Sequence, residues 1–178
     1  MYKMKRIFTY ISIILVCLSC IQCNNNNKNT KEHTVTNGGE LKTQNYSFDN
    51  PPKFRKDGEL IFVRKGDNLE LFKIDLEIAS TDEERARGLM FRPEMAENQG
   101  MIFLFFKEEI QSFYMRNTLI PLDIIYINSK KEIVDIYKNT NVLDDTSLPS
   151  KSPAMYVVEI NAGLCDKYNI NEGDMIYF

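Results

Sequence analysis

The feature that most constrains this chain is a pair of short, nearly unbroken apolar runs, Met101 to Phe106 and Leu122 to Ile127. Each is too short for a self-burying helix and too continuous for a strand with one wet face, so both fit interior strands covered on two sides. Beside them, Leu69 to Ala79 alternates: Phe72, Ile74, Leu76 and Ile78 share one face and Lys73, Asp75 and Glu77 the other, the pattern of a half-buried strand. Glu132 to Tyr137, Ala154 to Ile160 and Met175 to Phe178 read as further strands. Turn signals at Asn128-Ser-Lys, Leu148-Pro-Ser-Lys-Ser-Pro153 and Asn171-Glu-Gly-Asp174 separate them. Strands in this number with little helix predict an all-β fold, a compact single-domain sandwich or barrel over residues 58–178.

Two short helices are expected within it. Thr81-Asp-Glu-Glu84 is a capping box that opens a helix over Glu83 to Leu89, with Gly88 placed to end it. A second helical turn is expected in Ala162 to Tyr168, closed by Asn169.

The N-terminus reads differently. Lys3, Lys5 and Arg6 precede a short apolar stretch from Ile7 to Leu18, interrupted by Thr9 and Ser12. That is the order of a secretory signal, and it falls short of the roughly 20 residues a spanning helix needs. Cys17, Cys20 and Cys23 follow, and Ser19 before Cys20 resembles the small residue of a bacterial lipobox. The expectation is a signal peptide over residues 1–19 and lipid modification of Cys20, which would anchor the protein to a bacterial membrane, facing periplasm or exterior. An ordinary signal or an uncleaved anchor is the alternative. Residues 20–57, rich in Asn, Lys and Thr and poor in apolar side chains, are expected to form a disordered tether. An arm of that length reaches about 30–35 Å.

Charge narrows the partners. Residues 59–178 hold thirteen basic and twenty-one acidic side chains, an excess that repels phosphate backbones, so nucleic acid is not an expected partner. The single histidine, His33, falls in the tether, which leaves the domain without His-based acid-base chemistry or His metal ligands. Cys165, the one cysteine of the domain, reads as a buried inert thiol. The domain carries no GxGxxG, P-loop or CxxC motif, and no cofactor is expected. Asp144-Asp145 reads as a solvated acidic loop rather than a metal site. Phe103, Phe105, Phe106 and Phe113 are expected in the core. The arm supplies no periodic apolar pattern, so residues from about 58 are expected to fold alone as a monomeric β domain.

Three blocks, Glu84-Arg85-Ala-Arg-Gly88-Leu-Met-Phe-Arg92, Gly100-Met-Ile-Phe103 and Phe113-Tyr-Met-Arg-Asn-Thr-Leu-Ile-Pro-Leu-Asp123, are followed in order by Glu159-Ile-Asn-Ala-Gly163 and Gly173-Asp174. Together they resemble the domain-of-unknown-function family 192 (DUF192) over about residues 68–178. The resemblance implies a compact sandwich-like β domain, often exported or membrane-tethered, and no particular reaction. Tyr114 stands where the family usually has Trp, and the Asn139–Ser152 connection lacks a Cys that some relatives carry there.

The polar residues of these blocks are the candidates for a site. As ligand contacts, Arg92 would grip a carboxylate or phosphate bidentately, Tyr114 would stack, and Asn117, Thr118 and Asp123 would orient a small molecule or glycan of the envelope. On the structural alternative, Arg85 or Arg92 pairs internally with Asp123 or Glu159, and Asn117 and Thr118 satisfy turn amides. Asp174 belongs to whichever of these holds for its turn. The expected function is a non-catalytic binding or accessory module tethered to the membrane. The enzyme alternative is a hydrolase of envelope glycans, using Asp123 and Glu159 as an acid and base pair.

Overall fold

The computed structural model describes residues 46–178. The expected signal peptide, Cys20 and the expected tether as far as residue 45 lie outside the described residues. Nine strands and two short helices follow in the order β1 (Gly58–Val63), β2 (Glu70–Ala79), α1 (Asp82–Arg87), β3 (Gln99–Glu109), β4 (Ser112–Phe113), β5 (Leu122–Ile127), β6 (Ile133–Tyr137), β7 (Leu148–Pro149), β8 (Ala154–Asn161), α2 (Leu164–Lys167) and β9 (Met175–Tyr177). The fold is mostly β, as the strand pattern predicts. The two-residue strands β4 and β7 and the opening strand β1 carry too little alternation of their own to be read from sequence.

Seven strands form one sheet in the order β6-β5-β8-β3-β2-β1-β9, and β4 pairs with β7 apart from it. Only β2 and β3 run parallel, joined by the crossover that contains α1. The sheet curls into a half-barrel. Its two ends meet where Glu132 bridges Met175, and the Ile133 amide donates to the Asp174 carbonyl at 2.8 Å.

The curl divides the apolar side chains between two faces. Every strand of the sheet contributes to one cluster, which includes Leu60, Ile74, Ile102, Ile125, Val158 and Ile176, so this cluster fills the concave side. Leu164 and Cys165 of α2 close it. A second cluster on the convex side joins Met101 and Phe103 of β3, Leu122, Ile124 and Tyr126 of β5 and Val157 of β8 to Leu89 and Met115 from the loops above. All six residues of β5 are buried, which is what a strand between two cores requires. Each such side chain contributes about 1.5–3 kcal/mol by leaving water.

Close approach of β3 to β8 depends on Gly100, where a Cβ would meet the Glu159 carbonyl at 2.7 Å and Ile74 Cδ1 at 2.9 Å. The β4–β7 pair is held onto the convex face by side chains. The Tyr126 hydroxyl donates to the Leu148 carbonyl and the Tyr137 hydroxyl to the Pro149 carbonyl, the latter at 2.8 Å. Contacts also run back before β1: the Asp57 amide donates to the Leu76 carbonyl at 2.7 Å, and the Phe48 ring meets Phe91 edge-on at 5.1 Å.

The capping box forms as expected, with Glu84 N donating to Thr81 Oγ1 at 3.2 Å and Glu84 Oε2 accepting from Thr81 N at 3.0 Å. The helix stops at Arg87 because Gly88 adopts φ 50°, in the left-handed region. Two side chains depart from the sequence expectation. Phe106, expected in the core, is 89% exposed, because β3 has run past β2 after Phe103 and its register with β8 is broken between Leu104 and Glu109. Glu77, expected on a wet face, is 5% exposed, for a reason that lies in the convex cluster.

Candidate functional site

The convex face carries a row of side chains set by strand register. Glu77 of β2 stands beside Met101 of β3, and Met101 beside Glu159 of β8, so both carboxyls point to the same side of the sheet. A single arginine pairs with the first of them alone. Arg92, on the loop after α1, donates from Nη1 to Glu77 Oε1 at 2.7 Å and from Nη2 to Glu77 Oε2 at 2.6 Å. The Arg55 amide adds a third donor to Glu77 Oε1 at 2.8 Å.

Glu159 is left over. It is 5% exposed, and it makes no hydrogen bond or ion pair to any described residue. Burial pushes its carboxyl up to about 8, with the Arg92 charge pulling in the opposite direction. At neutral pH it is therefore mostly an uncharged acid, able to donate a proton in a hydrogen bond.

The Glu159 carboxyl lies in the wall of a cavity of about 240 Å³. Phe103, Phe105, Phe113 and Leu89 supply apolar wall, while Arg85, Arg87, Gln111, Tyr114 and Thr118 supply polar groups. Phe113 sits edge-on to Phe103 at 4.8 Å and to Phe105 at 6.4 Å, which fixes the aromatic side of the cavity. Gly88 borders it closely, since a Cβ there would lie 3.3 Å from the Phe103 ring and 3.9 Å from Glu159 Oε2. The two arginines differ. Arg85 is committed to the scaffold: Nη1 donates to the Ser80 and Leu104 carbonyls at 2.6 and 2.9 Å, Nη2 pairs with Asp82, and the guanidinium lies over the Phe105 ring. Arg87 rests over the Tyr46 ring, and its buried Nε has no partner.

Of the residues expected to form a site, the cavity gathers Arg85, Tyr114, Thr118 and Glu159. The others serve the scaffold. Arg92 pairs with neither Asp123 nor Glu159 but with Glu77, and at 3% exposure it has no surface to offer a ligand. Asn117 holds φ 56°, and its carbonyl accepts from the Phe91 amide at 2.8 Å. The Thr118 carbonyl accepts from the Leu143 amide at 3.1 Å. Asp174 caps its own turn, accepting from the Asn171 and Lys65 amides at 2.9 and 3.2 Å. Asp123 is fully buried on the concave side, accepting from the Asn139 amide at 2.8 Å and the Cys165 amide at 2.9 Å.

That placement removes the proposed acid and base pair. Asp123 lies beside Ile160, which packs in the concave core, whereas Glu159 lies beside Ile124, which packs in the convex one. The sheet separates the two carboxyls, so they cannot act on one bond. Cys165 is fully buried, and burial together with Asp123 pushes its thiol well above the usual range, as expected of an inert thiol. Asp145 pairs with Arg116 at 2.9 Å on the surface.

Arg87, Gln111 and the aromatic walls were missing from the expected site. Arg87 sits in the same block as Arg85, but nothing in the spacing says which arginine is spent on the scaffold. Gln111 lies at the β3–β4 turn, where no motif marks it.

Known proteins share this architecture. A UPF0127 protein of Thermococcus sibiricus is 30% identical over 106 residues, which are 57% of this chain and 64% of the relative. The chain thus spans a little under two thirds of that relative's length. A protein of unknown function from Novosphingobium aromaticivorans superposes with a TM-score of 0.63 at 37% identity, covering 67% of this chain and 84% of its own. A candidate transcription regulator from Sinorhizobium meliloti superposes with a TM-score of 0.64 at 28% identity, covering 67% and 91%. Residues 62–178 match the family DUF192, described as an uncharacterised ACR, and so include every strand but part of β1, both helices and the whole cavity wall. The chain belongs to the DUF192 family.

Proposed function

We propose that this protein is a membrane-tethered lipoprotein of the cell envelope whose β domain binds a small molecule in the cavity over Glu159. The observation that carries the binding reading is the Glu159 carboxyl itself, buried, without a hydrogen-bond partner among the described residues and facing an open cavity. Buried carboxyls are almost always satisfied, and this one, whose oxygens are not sealed off from the cavity, takes its partner from whatever fills that space. The volume favours a small ligand, since pockets for drug-sized molecules run to roughly 300–1,000 Å³. The acidic excess of the domain weighs against the nucleic-acid role that the description of the Sinorhizobium relative suggests.

The binding reading is tested by thermal unfolding of the full chain against a panel of small acids, amines, sugars and peptidoglycan fragments. A member of the panel is expected to raise the melting temperature, and Ala86→Phe should abolish that rise while leaving the unliganded melting temperature nearly unchanged. Ala86 is exposed and borders the cavity, so the larger ring blocks the space without disturbing the core. No shift with any member, or an unchanged shift in Ala86→Phe, overturns the reading.

The tether is tested separately. In a bacterial host the chain should partition with membranes and carry a lipid-modified Cys20 by mass spectrometry of its N-terminal peptide, and Cys20→Ala should move it to the soluble fraction. Unchanged partition of that variant refutes the anchor. Among the described residues no helix is long and apolar enough to cross a membrane.

A further inference from the structure

Resting on the binding reading above, we propose that the cavity selects small organic anions, a carboxylate carried on an aromatic or apolar body, and takes them up together with a proton held on Glu159. Three observations lead there. The charged groups in the cavity wall are Arg85, Arg87 and Glu159, with no other carboxyl among them. Arg85 gives three of its five N–H donors to Ser80, Leu104 and Asp82, whereas Arg87, its buried Nε included, donates to no described residue. The rest of the wall holds Leu89, Phe103, Phe105 and Phe113, which suit a flat apolar body, and the uncharged polar residues Gln111, Ser112, Tyr114 and Thr118.

An anion in this space meets a guanidinium and an uncharged acid. Arg87 offers charge-assisted donation to one carboxylate oxygen, and Glu159 in its protonated form offers an O–H to the other. Ionised Glu159 would instead face the anion with a like charge and no proton to donate. The ligand therefore binds the protonated state and holds the proton there.

The groups that face Glu159 agree with this. From the loop after α1 comes Arg92, occupied by Glu77 of β2; from α1 come Arg85 and Arg87; from β5 comes Tyr126, whose hydroxyl is spent on Leu148; and Tyr114 borders the cavity from the loop after β4. The β3 neighbours, Met101 and Phe103, do not titrate. No second acid shares the proton, and burial holds the Glu159 carboxyl at about 8, so the protonated form dominates at neutral pH.

The probes are benzoate, benzyl alcohol and benzylamine, three small molecules with one ring and an anionic, neutral or cationic head, titrated calorimetrically into the full chain between pH 6 and pH 9.5. Benzoate is expected to bind, with an affinity nearly constant from pH 6 to 7 that falls toward tenfold per pH unit once the pH passes about 8, the slope of one coupled proton. Glu159→Gln should bind benzoate more weakly at pH 6 and show no fall above pH 8. Arg87→Gln should lose at least tenfold in benzoate affinity at every pH. Binding of benzyl alcohol or benzylamine in place of benzoate overturns the anion assignment and leaves the binding reading standing. Benzoate binding with the same pH profile in Glu159→Gln overturns the proton coupling. If none of the three probes binds while another member of the thermal panel does, this inference alone fails; if nothing binds in either experiment, both fail.

Discussion

Arg92→Met is expected to cost about 3–5 kcal/mol of stability, the cost of removing one partner from a buried ion pair. The Arg92 and Glu77 side chains are 4% and 7% exposed, and their two parallel hydrogen bonds leave little for water to replace. Without the guanidinium, Glu77 is an uncompensated charge in the same row as Glu159, and Glu159 loses the one charge that lowers its own proton affinity. Urea unfolding of the full chain at pH 7 measures the loss. The double variant Glu77→Leu/Arg92→Met is expected to recover most of it, because apolar side chains of similar volume remove both desolvation penalties at once. A single variant within 1 kcal/mol of the parent would show that the pair is not buried as described. Full additivity of the two changes would show that the residues do not interact.

The pH dependence of stability should carry the signature of Glu159. Its folded value of about 8 lies above the ordinary 4.5, so between those values the native state holds a proton that the unfolded chain releases. Stability then falls as the pH rises from about 4.5 to 8 and levels off above, with a total loss of about 5 kcal/mol. Exposed acids such as Glu59, held at about 2 by Lys56 and Lys73, have the opposite sign and act only as the pH drops below the ordinary carboxylate range. Glu159→Gln removes the slope on the alkaline side. The variant should therefore gain on the parent steadily from pH 5 to pH 8.5, read from urea midpoints across that range. Parallel curves for parent and variant would mean that Glu159 titrates in the folded protein as it does in water. A ligand anion that binds with the proton lifts the parent's curve and carries its fall beyond pH 8, since the liganded protein keeps the Glu159 proton to higher pH, which links this measurement to the benzoate titration.

The two experiments separate roles that the sequence leaves joined. Arg85 and Arg92 stand in one block and look alike as candidates to grip an anion, yet one is tied to the Ser80 and Leu104 carbonyls and the other is buried against Glu77. Arg87, two residues from Arg85, has a buried Nε without a partner and borders the cavity, whereas the Arg92 Nε, unpartnered too, lies outside the cavity wall. The difference arises from which way each side chain leaves a six-residue helix and the turn after it, and the turn is set by Gly88 and by Phe91 in the left-handed region.

What the sequence by itself determined is local. The apolar runs became β3 and β5, the alternation from Leu69 became β2, and Thr81 and Glu84 capped α1, because the period of burial and the satisfaction of the first helical amides depend on neighbours within a few residues. The tertiary structure alone decided what faces what. Glu77 and Glu159 stand in one row across three strands, while Asp123, which looked like the natural partner of Glu159, lies behind the sheet. Sheet register sets these relations between residues 36 and 82 positions apart, and a shift of one residue in any strand would reverse the face of every side chain on it. Composition fixes how many arginines and carboxyls the domain holds. Only the register leaves one carboxyl, buried and without a partner among the described residues, in the wall of a cavity.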